Sequence, residues 1–359
     1  MKKWNPNEAH VVYATDDRFA EILGVSLLSL YENSKDMDSI IVYILDSGIS
    51  EENRKKIETV CIEYNRPTPI WIKGVNICEI LSMKVAVDRG SLSQYARLFI
   101  SRNIPKDVGR VLYLDCDTVI RKSIRELWNL ELRGKTIAAL KDAFSKYYRA
   151  NIDLQANDIM FNSGVMLIDL NKWEEQEVEK KLLKFIAKHK GIVQQGDQGA
   201  LNAVLAHDTY CFEPKFNSVT IYYDFNYKDM LIYRKPPRDF YPDWQIQDAS
   251  DDPSLVHFTT SFLSKRPWIK GSQHRFVQEW LMYKDLSPWK DMDLWEDTLP
   301  QWKQKVRAIY NALPVWLSVR IVGIAQAYGR PFLNKIKDIC RNRKEDSKAI
   351  SFSDIGVNI

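Results

Sequence analysis

The stretch VLYLDCDTVI, residues 111–120, runs through an apolar segment and ends in two aspartates flanking a cysteine. In an extended chain, side chains two apart share a face, with Cα atoms about 6.5–7 Å apart. Asp115 and Asp117 therefore converge on one object, while Cys116 turns back toward the core. At an effective dielectric near 20, two like unit charges ~4 Å apart repel by about 4 kcal/mol. A divalent cation reverses the sign of that term. Hard cations such as Mg²⁺ or Mn²⁺ are held by one or two carboxylates together with substrate phosphates. The pair reads as a metal site for a phosphorylated ligand, with two solvated turn carboxylates as the plain alternative.

Other residues carry chemistry in less specific settings. Asp16 and Asp17 close an apolar run and open a helix, where a carboxylate can meet a base or ribose or simply cap the helix. Arg97, in YARL, is a polar exception among apolar neighbours; a surface arginine is the simpler reading. Asn162 and Ser163 precede Gly164, which permits close backbone approach, and Asn162 can bond sugar hydroxyls. Asp197 and Gln198 open a helical pattern and need be no more than capping residues. His257 ends a short apolar strand, a place where a lone histidine is more often structural. Lys265 and Arg266 form a basic pair just before Pro267 and Trp268.

The elements that must position these residues follow from the patterning. AHVVYAT (9–15), SIIVYILD (39–46) and TPIWIK (68–73) read as strands, separated by helices through FAEILGVSLLSLYENS and SEENRKKIETVCIEY. Ser50 caps the second helix, with Glu51 and Glu52 in its first turn. This β-α-β-α-β succession predicts an α/β protein with a mainly parallel, Rossmann-like sheet flanked by helices. A helix through SQYARLFISRN, then strands RVLYLD, TIAALKD (136–142) and FNSGVMLIDL (161–170), follow. Helices over about 171–189 and 195–206, and a late strand LVHFT (255–259), complete the set. Parallel sheets bind ligands beyond the carboxyl ends of their strands, where Asp115 and Asp117 fall.

The bulk properties exclude several classes. With 45% apolar and 27% charged residues over 359 positions the chain is an ordinary globular protein, and its net charge of +4 is small. Five scattered cysteines without a C-x-x-C pair indicate neither a zinc site nor a disulfide framework, and fit a reducing cytoplasm. The N-terminus lacks the apolar core of a signal peptide, no run of eighteen uncharged apolar residues is present, and no nucleic-acid partner is expected.

Two families share parts of this pattern. D-x-D-x-T after an apolar strand resembles the opening motif of haloacid dehalogenase-like phosphatases, which place it on an early strand; here three strands precede it. The ordered set VVYATDDRFA, YILDSGIS, SQYARLFI, LYLDCD, FNSGVMLIDLNKW, QGDQGALN and VHFTTSFLSKRPW resembles the retaining glycosyltransferases of family 8 over roughly residues 9–280. That resemblance implies a GT-A fold and transfer of galactose or glucose from a UDP-sugar donor, with Mn²⁺ (or Mg²⁺) as cofactor. It makes Asp115, Asp117 and His257 metal ligands, and an imidazole beside carboxylates suits Mn²⁺ better than Ca²⁺. Ala14, Asp16, Arg97, Asp115, Cys116, Asp142, Asn162 and Ser163 become donor-binding residues. Asp197 and Gln198 fall beside the anomeric carbon. Many relatives carry asparagine where this chain has Arg18, and most read H-x-x-G-x-x-K-P-W where this chain has HFTTSFLSKRPW. Either Lys265 or Arg266 then serves the diphosphate. A non-catalytic carbohydrate-binding protein on the same fold is a further alternative.

Residues 1–282 are expected to form the catalytic domain and 283–359 a basic, Trp-rich helical appendage. Between 301 and 344 stand ten basic residues, among them Lys303, Arg307, Arg320, Lys335, Lys337, Arg341, Arg343 and Lys344, against the single acid Asp338. Trp302, Trp316, Ile321, Ile324 and Phe332 interleave with them. Basic helices with an apolar opposite side lie on anionic membrane surfaces. A peripheral protein on the inner face of the cell membrane, acting on a glycan or glycolipid acceptor, is the expectation.

Overall fold

A computed structural model describes residues 4–73, 79, 82, 85 and 93–336. Its centre is a seven-stranded sheet built from β1 (Glu8–Thr15), β2 (Ser39–Asp46), β3 (Ile70–Lys73), β4 (Arg110–Leu114), β6 (Ile137–Lys141), β7 (Phe161–Asp169) and β8 (Thr209–Cys211). The spatial order is β3-β2-β1-β4-β7-β6-β8. A second sheet holds β5 (Thr118–Ile120), β9 (Ser218–Val219) and β10 (Leu255–His257), with β10 in the middle.

Alternation along the strands explains the layering. Val11, Tyr13, Leu112 and Leu114 pack into one core, whereas Val12, Val111 and Tyr113 pack into the other. Both faces are apolar because both are covered, as a sheet with crossover helices requires. Helix α1 (Ala20–Asn33) sends nearly all of its side chains into the interior, and α2 (Glu51–Glu63) is capped by Ser50, whose Oγ accepts from the Asn53 N–H.

One strand runs against the rest. β7 pairs antiparallel with both β4 and β6, while the other pairings in the large sheet are parallel. The reversal brings the start of β7, with Asn162, Ser163 and Gly164, to the edge where β1, β4 and β6 end. The small sheet does the same for His257, which pairs with Thr118, the residue after Asp117.

Two predicted helices are interrupted. The 93–103 segment is two short α turns joined by a 3₁₀ turn at Arg97–Phe99, where the Arg97 Nε–H donates to the Gln94 carbonyl. The 171–189 segment breaks at Glu177, whose φ of 51° is left-handed.

Helix α3 (Gly196–Leu205) follows the second interruption, and α4 (Tyr227–Arg234) lies further along. Helix α5 (Val277–Asp285) runs across the 282/283 boundary, and Tyr283, Lys284 and Trp289 beyond it are buried. Lys284 pairs with the buried Glu21 of α1 at 3.4 Å and donates to the Trp289 carbonyl at 2.7 Å. Helices α6 (Gln301–Ala312) and α7 (Val315–Ile324) come next. Helix α7 packs on α4 so closely that a Cβ on Gly323 would lie 2.7 Å from the Ile232 carbonyl oxygen. No helix among the described residues is long and apolar enough to cross a membrane. Lys337, Asp338, Arg341, Arg343 and Lys344 lie outside the described residues.

Candidate active site

Asp115 follows β4, Asp117 precedes β5 and His257 ends β10, so three separate elements meet at one point. The His257 Nε2 lies 3.2 Å from Asp117 Oδ1 and 3.7 Å from Asp115 Oδ2. One ligand atom from each of the three falls within 4.8 Å of the others. A hydrogen-bond chain assigns the Nδ1 side of the imidazole. The Gly164 N–H donates to Asn162 Oδ1 at 3.0 Å, which fixes that atom as oxygen. The Asn217 Nδ2 donates to the same oxygen at 3.0 Å, so its Oδ1 faces His257 and accepts from Nδ1 at 2.9 Å. Nε2 is left to face the two carboxylates. Two carboxylate oxygens and one imidazole nitrogen fit a small divalent cation of the Mn²⁺ or Mg²⁺ type.

Gly164 makes room for this cluster. A Cβ there would stand 2.2 Å from His257 Cε1 and 2.8 Å from Asp115 Oδ2. Cys116 is the buried spacer: its Sγ donates to the Ala14 carbonyl at 3.5 Å, and burial pushes its thiol well above the ordinary range.

Behind the cluster lies a buried network centred on Arg97. Its guanidinium meets Asp115 Oδ1 at 2.9 Å, stands 3.0 Å from Asp197 Oδ2 and donates to the Ser163 carbonyl at 2.9 Å. It also lies over the Tyr113 ring, 4.5 Å from the centroid. Burial disfavours the Arg97 charge, but Asp115 and Asp197 outweigh it and hold its pKa above the usual value. The Asp197 contact is an ion pair, because the Nε–H itself is directed to Gln94. Burial pushes the Asp197 carboxyl up to about 6; Arg97 opposes that and Asp115 adds to it. Gln198, next on α3, has its Oε1 held by the Ser163 N–H at 3.2 Å. Asp142 is bonded to Asn162, and burial raises its pKa against the pull of Arg234 and Arg149.

In front of the cluster is a cleft lined by Ala14, Asp16, Arg18, Arg97, Asp115, Cys116, Asp117 and Arg266. Asp16 both faces it and caps the following 3₁₀ turn, accepting from the Phe19 N–H. Asp17 is turned away, bonded to Ser50 N and Asn53 Nδ2 at 2.8 Å each. The adjacent cations also diverge. Arg266 reaches Asp117 Oδ2 at 3.2 Å, whereas Lys265 pairs with Asp297 at 2.9 Å outside the cleft. The residues singled out from the sequence lie in the cleft wall or the network behind it, except Asp17 and Lys265. Asn217 and Tyr113 escaped that reading. Asn217 sits in PKFNSV, a stretch whose composition carries no chemical signal.

The model of the family described as Glycosyl transferase family 8 matches residues 10–270. The chain belongs to glycosyltransferase family 8. Among the relatives of this glycosyltransferase, General stress protein A of Bacillus subtilis is 27% identical over 285 residues, covering 78% of this chain and 94% of its own. The lipopolysaccharide 1,2-glucosyltransferase of Escherichia coli is 25% identical over 286 residues, covering 79% of each chain. A crystal structure of the galactosyltransferase LgtC with donor and acceptor sugar analogues superposes with a TM-score of 0.64 at 24% identity, covering 82% of this chain and 99% of that one. The fold is GT-A. The family assignment also decides against the phosphatase alternative.

Proposed function

We propose that this glycosyltransferase moves a hexose, galactose or glucose, from a UDP-sugar to a cell-surface glycan or glycolipid, with retention of anomeric configuration. The observation that carries the proposal is the convergence of His257 Nε2 with Asp115 and Asp117 at the mouth of a cleft that also presents Arg266. Bound there, Mn²⁺ or Mg²⁺ supplies Lewis-acid neutralisation of the departing diphosphate. Arg266 adds a fixed cation to the same leaving group. Ala14, Asp16 and Cys116 line the nucleoside side of the cleft. Asn162, Ser163, Asp142 and Asp197 supply polar atoms for the sugar hydroxyls. Asp115 and Asp197 both pair with Arg97, so neither is an unencumbered nucleophile, and the oxygen of Gln198 is held by Ser163. A front-face substitution beside Gln198 fits that arrangement better than a covalent glycosyl-enzyme.

The appendage, taken to begin after the buried turn at Trp289, extends the proposal to location. Trp302, Ile309, Trp316, Ile324 and Phe332 are each more than half exposed among basic side chains. They fit peripheral attachment to an anionic membrane at the cytoplasmic face, where glycolipid acceptors are elongated. The test of the central reading needs no acceptor: the full chain is incubated with UDP-sugars and Mn²⁺ or Mg²⁺, and released UDP is measured. Metal-dependent release from UDP-galactose or UDP-glucose is expected. Absence of metal-dependent release from every UDP-sugar overturns it.

A further inference from the structure

The rings of Tyr147 and Tyr328 meet with centroids 4.9 Å apart and form a bridge between two cavities. One, of about 660 Å³, is walled by Lys146, Lys235, Arg238 and the prolines 236 and 237. The other, of about 580 Å³, is walled chiefly by Ile324, Ala325, Pro331 and Phe332, with Lys335 at its rim. Both volumes fall in the range of sites for small ligands, and they differ sharply in chemistry.

The first cavity is cationic. Among the described residues, Lys146 and Arg238 make no ion pair, and Lys235 donates to the Tyr328 hydroxyl at 2.9 Å while lying 4.4 Å over its ring. The acid in the wall, Asp239, is taken by Lys141 at 2.8 Å. The second cavity is apolar, and its side chains are open: Ile324 is 59% and Phe332 64% exposed. Exposed apolar side chains gathered beside cations that lack a counter-charge fit a binding surface better than scattered single exposures do. The walls are also built rather than incidental. Ser145 Oγ donates to the Ala327 carbonyl at 2.7 Å, Tyr148 Oη to that of Gln326 at 3.0 Å, and Asn151 Nδ2 to that of Pro331 at 3.0 Å. These bonds clamp the π-helical segment Ala325–Gly329, a geometry found most often at functional sites.

We infer that the two cavities form one site for a single anionic phospholipid, its phosphate among Lys146, Lys235 and Arg238 and its chain across Ile324, Pro331 and Phe332. Charge complementarity selects the occupant: a neutral lipid leaves three cations unmatched, and a free phosphate leaves the apolar half bare. The site deepens the proposed membrane attachment and is separate from the metal cluster. The segment that carries Asp142 runs directly into Ser145, Lys146 and Tyr147.

The test uses the full chain and dihexanoyl phosphatidylglycerol below its micelle threshold, followed by calorimetric titration. Dihexanoyl phosphatidylcholine and inorganic phosphate serve as comparators. Saturable binding of one phosphatidylglycerol per chain is expected, at least tenfold tighter than either comparator. Lys146→Gln with Arg238→Gln should abolish the preference over phosphatidylcholine, and Phe332→Ser should weaken both lipids about tenfold. No saturable binding, equal binding of inorganic phosphate, or indifference to these variants overturns the site. Metal-dependent UDP release should be unchanged in all of them, which separates failure here from failure of the transferase reading. Vesicle co-sedimentation of a Trp302→Ser, Trp316→Ser variant scores surface attachment on its own, since a monomeric lipid needs no surface.

Discussion

Asn217 accepts the Nδ1–H of His257 at 2.9 Å and is itself held by Asn162 Oδ1, so the backbone N–H of Gly164 ultimately dictates which imidazole nitrogen faces the carboxylates. Partners of this kind typically govern metal affinity by 10–100-fold. Asn217→Ala should therefore weaken Mn²⁺ binding by that order in a direct titration, with the folded circular dichroism spectrum retained. Unaltered affinity would show that His257 is oriented by packing alone.

Gly164→Ala tests the space around the cluster. The added methyl would overlap His257 and crowd Asp115, and the contact is with the ring itself rather than with a flexible chain end. Metal binding should fall more than in Asn217→Ala, because two of the three proposed ligands are displaced instead of one being loosened. A variant that binds Mn²⁺ normally would mean that β7 and β10 can separate at little cost.

The strands and the paired aspartates were legible because their signals are local. β1 and β2 fall where apolar runs place them, and a D-x-D at a strand end announces itself by charge. The reversal of β7 was not legible, since an apolar strand reads alike in both directions, yet it brings Asn162–Gly164 to the group formed by Asp115, Asp117 and His257. The break at Arg97 was hidden for a related reason: the helical pattern of SQYARLFISRN continues through it, and only the tertiary network around Asp115 and Asp197 draws the side chain inward. Asn217 had no signal at all, because an asparagine matters there through what three distant elements place around it.

Arg266 and Lys265 are adjacent in sequence and turn to different partners. Arg266 faces the cleft at Asp117, while Lys265 is committed to Asp297 and the Lys270 carbonyl. Removing a preorganised cation from a departing charge costs about 10²–10³ in kcat. Arg266→Ala should show a loss of that order in metal-dependent UDP release, and Lys265→Ala a change within a few-fold. The reverse ranking would move the diphosphate to the other side of the loop.

His274 should give the fold a pH limit unrelated to catalysis. It lies among Tyr223, Phe258 and Phe276, its Nδ1 accepts from the Phe276 N–H, and its buried Nε2 has no hydrogen-bond partner. Burial lowers its pKa from 6.5 to about 4. Between those values the unfolded chain binds a proton that the folded chain refuses, so stability rises with pH across the window and is lost as pH falls through it. The loss attributable to this one group approaches roughly 3 kcal/mol near pH 4. Urea midpoints of the full chain should therefore drop between pH 7 and pH 4.5. His274→Phe should be less stable at pH 7, because the Phe276 N–H loses its acceptor, yet flatter over that interval. A variant whose midpoints fall in parallel with the parent would assign the acid sensitivity to other buried groups.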